Sequence, residues 1–409
     1  MIEIREYLAP LKGNILVLVS SLMMWHFVLQ MVSPYEALYI FSIGGSGVAL
    51  GILSTTKTLF STFLRIPGGY LADRRGRRKV IGIAAIVSSL GYLFYVFAQN
   101  WLWLLPGAFL LSMVALSEPA VEAIKADSIR PEERGRGYAM LNTIPMIPAM
   151  IAPAIGGLLI AESNADFGIS LSGIRNAYLA LFVGVAIMGL IRLFFLRDIY
   201  QPEESGQKLG LNMFRDVYQT VSQSPPSIKR LMLLGGFFMF CFHVDDSFRG
   251  IYAINVGGLS TVEWGLIVSS TMVISSLAAL LIGWAVDRYG RKRVFIPAVS
   301  LLGISSLLFI FSNSFPMFLF ARILGSIGKY GRMIAFQVIV ADSIPVSIRG
   351  RMMGVYNIFS SLGSSSAMMF SGLLYDVSPV LPFYTAVLAY VSAALVAVKF
   401  LHEPDIQQL

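Results

Sequence analysis

A chain of 409 residues that is 56% hydrophobic and 13% charged, with mean hydropathy +0.72, is not an ordinary soluble domain, which carries about twice that charged fraction. Its net charge of +8 sits mostly in short loops between apolar runs, so no nucleic-acid partner is expected. The single cysteine, Cys241, excludes an intrachain disulfide and a thiolate metal cluster, and neither metal nor cofactor is expected.

Twelve apolar runs are predicted as helices over 14–40, 46–71, 78–98, 101–124, 137–161, 175–197, 229–253, 261–286, 293–312, 315–340, 351–374 and 380–401. Runs near twenty residues match a hydrocarbon layer of ~30 Å, and they lack the period-2 alternation of barrel strands. Met1 to Lys12 is polar and leads into a run longer than a signal-peptide core, so a retained first helix is expected and no signal peptide. Gly44-Gly45-Ser46-Gly47 lacks a following Gly-Lys-Ser/Thr and is read as a turn between helices 1 and 2, not a phosphate loop. Most Lys and Arg fall in alternate loops, with only Arg175 and Arg249 toward the other side; this asymmetry predicts a multi-pass protein with both termini in the cytoplasm. The long polar connection from Ile199 to Ser227 divides the chain into an N-terminal six-helix half (1–198), a cytoplasmic linker (199–228) and a C-terminal half (229–409). Leu211, Phe214, Val217, Tyr218 and Val221 recur there at helical spacing, as in an amphipathic surface helix, although a plain linker reads equally well.

The halves repeat. Gly69-Tyr70-Leu71-Ala72-Asp73-Arg74-Arg75-Gly76-Arg77-Arg78-Lys79 returns as Gly283-Trp284-Ala285-Val286-Asp287-Arg288-Tyr289-Gly290-Arg291-Lys292-Arg293, and Asp287 lies 214 residues after Asp73. Asp127, Arg134, Asn142 and Gly157 each find their counterpart 215 residues on, at Asp342, Arg349, Asn357 and Gly372. This basic loop between two apolar helices, once per half, resembles the cytoplasmic motif of the major facilitator superfamily. The resemblance covers nearly the whole chain. It implies an all-α polytopic membrane protein of twelve transmembrane helices in two pseudo-symmetric halves, with the substrate bound at their interface near the bilayer midplane. It also implies an inner latch of Asp73, Arg77 and Asp127, repeated as Asp287, Arg291 and Asp342. Gly69, Arg74, Gly76 and Arg134, with Gly283, Arg288, Gly290 and Arg349, complete the gating motif.

Charges inside membrane helices cost at least ~2.5–3.5 kcal/mol each on insertion scales, so their placement is informative. Helix 1 carries His26, Gln30 and Glu36; helix 2, Lys57 and Arg65; helix 4, Glu118 and Glu122; helix 7, His243, Asp245, Asp246 and Arg249; helix 10, Lys329 and Arg332. Helices 3, 5, 8, 9 and 11 are essentially uncharged inside, and helix 6 has only Arg192. In the family this chain resembles, helices 1, 4, 7 and 10 line the cavity while 3, 6, 9 and 12 face lipid. Two readings stand for every charged residue: contact with substrate or a transported proton, or mutual neutralisation. Lys57, Arg65, Lys329 and Arg332 would meet a carboxylate or phosphate. Glu118, Asp245 or Asp246 would carry a proton. Glu118 and Glu122 share a helical face, as do Lys329 and Arg332, and Asp245 can pair with Arg249 at i,i+4. His26 and His243 either relay protons or sit neutral and hydrogen-bonded.

Pro145, Pro148 and Pro153 should loosen helix 5. Pro153-Ala154-Ile155-Gly156-Gly157 resembles the end of the family's antiporter motif, but Ala152 and Pro148 stand where that motif has glycine. Phe63-Leu64-Arg65-Ile66-Pro67 resembles the arginine motif of nitrate porters, but Ala279 stands where their second arginine belongs. The expected function is secondary active transport by alternating access, proton-coupled, of a small anionic or zwitterionic organic solute by a monomer in the cytoplasmic membrane. Multidrug/proton efflux and a non-transporting membrane sensor are the alternatives; an enzyme is not expected.

Overall fold

The computed structural model of the chain describes residues 11–130, 133–162, 168–199, 222, 225–344 and 349–401. The linker call and its amphipathic helix fall on 200–221, outside the described residues, and so do the side chains of 349–351.

Long apolar runs form helices because each run satisfies its backbone internally, as lipid requires. The helices are α1 (Asn14–Ser42), α2 (Gly47–Arg75), α3 (Arg77–Val96), α4 (Trp101–Ser128), α5 (Arg134–Ile160) and α6 (Leu171–Phe195), then α7 (Ile228–Asn255), α8 (Thr261–Tyr289), α9 (Arg291–Phe311), α10 (Phe315–Ser343), α11 (Arg349–Val377) and α12 (Leu381–Phe400). Among the described residues ten are long and apolar enough to cross a membrane; α10 and α11 have 29 residues each but carry the cations Arg322, Lys329 and Arg332 and a serine run, respectively. Among the described residues the only β feature is one bridge, Ala161 to Ile169. Leucines such as Leu280 and Leu281 remain more than 70% exposed, which suits a lipid environment.

Three of the helices expected to be charged are interrupted, which hydropathy does not reveal. Short 3₁₀ segments replace α-helix at Ser33–Tyr35 in α1, Met113–Ser117 in α4 and Asp246–Phe248 in α7. Glu36 follows the first break, Glu118 the second, and Asp246 opens the third. The three prolines divide α5 as predicted, into Arg134–Thr143, Met146–Ala149 and Ala152–Ile160.

Contacts divide the chain into two compact units, Met1–Gly44 with Thr56–Leu209, and Gly45–Thr55 with Gly210–Leu409. In the first unit α3 packs on α4 and α6, and α1 on α5; in the second α9 packs on α10 and α12, and α7 on α11. The same helix order therefore packs in the same pairs twice. Buried Leu18, Ile81, Ile124 and Leu141 form part of the first core, and Phe238, Phe295 and Phe336 part of the second.

Gly76 (φ 87°) and Gly290 (φ 94°) turn the chain in both copies of the basic loop through the left-handed region, where other residues are strained. At Gly68 an added Cβ would lie 2.8 Å from Leu116 Cα, so α2 and α4 approach backbone to backbone. In the second unit the Asp376 carboxylate accepts from the Gly47 and Val48 amides (2.5 and 3.0 Å), capping the first turn of α2.

Candidate functional site

The break in α7 gives the second unit its densest set of charges. Asp245 is fully buried and accepts from Arg249 Nη2 (2.7 Å), Ser306 Oγ (2.6 Å) and the Tyr390 hydroxyl (3.0 Å). Arg249, 3% exposed, also donates to the hydroxyls of Ser305 and Ser306, at 3.0 Å each. The i,i+4 pair forms, and Arg249 lies inside the unit instead of at its outer edge. Three helices contribute to a charge-balanced network around the buried ion pair, in which Arg249 Nε alone of the guanidinium nitrogens has no hydrogen bond among the described residues.

Asp246, one residue on, is in a different setting. Lys329 Nζ lies 2.9 Å from Oδ2 and Arg322 Nη1 3.7 Å from Oδ1. Lys329 is about half exposed and Asp246 one third, so this pair meets solvent where Asp245 does not. Arg322 also lies over the Trp264 ring at 5.7 Å. One turn from Lys329, Arg332 is 7% exposed, stacks its guanidinium 3.8 Å from the Phe242 ring centroid, and has no acidic partner among the described residues. Its Nε is buried without a hydrogen bond. His243 contacts the Met239 carbonyl through Nδ1 at 2.8 Å; a carbonyl only accepts, so Nδ1 carries the hydrogen and Nε2 is the basic position.

In the first unit Lys57 pairs with Glu36 just after the α1 break and lies 5.7 Å from the Tyr95 ring centroid. Arg65 forks onto Glu118, with Nε at 2.5 Å and Nη2 at 3.2 Å, a bidentate pair open to solvent. Glu122 shares the helical face of Glu118 but is mostly exposed and bonds Lys125 at 2.7 Å. His26 packs beside Trp25, and Gln30 accepts from Ser33. Buried Arg192 donates to Ser21 (3.0 Å) and keeps one buried nitrogen without a partner.

The residues expected to form the gating motif are only partly paired within each unit. Arg77 pairs with Asp127, and Arg291 with Asp342 at 2.9 Å. Asp73 and Asp287 are exposed and make no ion pair among the described residues. Arg74 lies over Tyr70, Arg288 over Trp284, and Arg134 is exposed. Gly69 and Gly283 sit in the last turns of α2 and α8. The side chain of Arg349 lies outside the described residues.

The sequence profile of the Major Facilitator Superfamily matches residues 16–262 and 254–408. The chain belongs to the Major Facilitator Superfamily. It is similar to an uncharacterised MFS-type transporter of Methanocaldococcus jannaschii, 23% identical over 392 residues, covering 90% of this chain and 89% of that one. It is also similar to a homologue of the multidrug resistance efflux pump PmrA from Lactococcus lactis, 25% identical over 280 residues, covering 65% of this chain and 64% of that one. Among solved structures it resembles the nucleoside transporter NupG, with TM-score 0.77 at 14% identity, covering 95% of this chain and all of that one, a likeness of fold. This MFS transporter is thus a helical integral membrane protein that takes a small-molecule substrate.

Tyr95, Arg322 and Tyr390 were not among the candidate residues read from the sequence. Arg322 had a readable signal, since it precedes Lys329 by two helical turns and shares its face. Tyr390 and the α9 serines had none, because uncharged hydroxyls on apolar helices look like any packing position.

Proposed function

We propose that this MFS transporter moves a small organic anion or zwitterion across the cytoplasmic membrane by alternating access, with protons as the coupling ion and both termini in the cytoplasm. The observation that carries this reading is Arg332, a buried cation beside Lys329 with an aromatic ring for company and no acidic partner among the described residues. A buried charge without a counter-ion is costly, and a carboxylate or phosphate arriving with the solute supplies one. Asp246, shared between Lys329 and Arg322, is the group that a competing anion displaces and that then takes up a proton. Glu118, held by an exposed arginine fork, is the equivalent group in the first unit. Efflux of amphipathic drugs is the second reading, favoured by the similarity to the Lactococcus lactis pump homologue.

Substitution R332Q separates the two. A charged hydrogen bond of about 1.5–3 kcal/mol corresponds to roughly a tenfold to hundredfold loss of anion affinity. Thermal-shift titration of purified protein with organic anions and cationic drugs reads it. Unchanged anion affinity, or ligands that are all cationic, contradicts the reading.

The partly paired motif gives a further expectation. D127N removes the Arg77–Asp127 ion pair and should slow turnover by about tenfold while leaving substrate affinity within about twofold, the pattern of a step that follows binding. Flux and equilibrium binding on the same preparation check it; equal losses in both, or none, refute the latch.

A further inference from the structure

Between α2, α3 and α4 in the first unit, at the C-terminal end of α2 and the N-terminal half of α3, lies a groove of about 640 Å³, within the range of roughly 300–1,000 Å³ typical of small-ligand sites. Its two ends differ in chemistry. Arg74, Arg75 and Lys79 line one end, while Ile83, Val87 and Met113 line the other. From Lys79 to Val87 the groove runs about 12 Å along α3 at ~1.5 Å per residue. Among the described residues no acidic side chain lines it. Arg74 is held over Tyr70 at 5.1 Å, and Arg75 and Lys79 are exposed with no acidic partner among the described residues. Ile83 is 53% exposed, so the apolar end opens sideways.

We propose that this groove binds one anionic phospholipid, its phosphate among Arg74, Arg75 and Lys79 and an acyl chain along Ile83, Val87 and Met113. A cationic head joined to an apolar slot that opens onto the helix surface matches a lipid better than a soluble anion, which would leave the slot bare. Clustered cations at the membrane surface attract anionic headgroups, and apolar surface holds the chain. A second groove of about 310 Å³ has the same apolar character but, among the described residues, only one cation, Arg230, and serves as the comparison.

The test is native mass spectrometry of the delipidated full chain with phosphatidylglycerol and with phosphatidylcholine of the same acyl chains. Wild type retains the phosphatidylglycerol preferentially. The double substitution R75Q/K79Q weakens that retention about thirtyfold, since each cation near an anionic surface contributes roughly a fivefold step. I83Q, at the apolar end, weakens it without altering charge, and R230Q leaves it unchanged. Equal retention of the two lipids, indifference to R75Q/K79Q, or an equal loss in R230Q overturns the proposal. So does full competition by glycerol phosphate, which has the headgroup charge and no chains.

Discussion

D246N abolishes most transport, and adding K329Q does not restore it. Asp246 holds Lys329 at 2.9 Å and faces Arg322 at 3.7 Å, in a site where the carboxylate is one third exposed. If the three charges served only to neutralise one another, removing Asp246 would strand Lys329, and removing Lys329 as well would relieve most of the penalty, as for any structural pair. If the carboxylate instead trades its cation for a substrate anion and takes up a proton, neither variant can complete the cycle. The expected loss is at least tenfold to a hundredfold in both, since about 1.5–3 kcal/mol of charge-assisted bonding is missing from the step that uses it. Flux into liposomes, with melting temperature as the folding control, measures it. Recovery in D246N/K329Q to near wild type makes the cluster structural.

The neighbouring carboxylate gives the opposite result. D245N and R249M each lower stability more than any substitution at the exposed pairs, because each strands a fully buried charge. Breaking a buried pair costs about 3–5 kcal/mol, whereas an exposed pair contributes about 0–1 kcal/mol. R65M, whose pair with Glu118 is 39% and 46% exposed, is the internal comparison. Thermal unfolding in one detergent ranks them, with R249M and D245N well below R65M. A stable D245N that loses only proton coupling would move Asp245 from scaffold to pathway.

Adjacent residues with contrasting roles explain what the sequence could and could not say. The twelve helices were legible because a membrane crossing is a signal spread over some twenty residues; helix 8, predicted over 261–286, is observed as Thr261–Tyr289. The interruptions at Ser33–Tyr35, Met113–Ser117 and Asp246–Phe248 were not, since three to five residues vanish in such an average. Asp245 and Asp246 look alike in one dimension. They part because one faces Ser306 and Tyr390 and the other faces Lys329, a difference set by how α9, α10 and α12 are rotated against α7. Gly76 and Gly290 were visible as a repeat, and their positive φ supplies the reason for it. Asp376 escaped notice because the predicted helix stopped at 374, two residues short of a carboxylate that caps α2.

The most direct test of the account is flux through purified protein in liposomes. Internal pH and charge movement are recorded after rapid addition of organic anions, amino acids, sugars and cationic drugs, with and without a pH gradient, for wild type and R332Q. The account predicts a proton signal that follows an anionic or zwitterionic solute and is lost in R332Q. A signal confined to cationic drugs, or one that R332Q leaves intact, contradicts it.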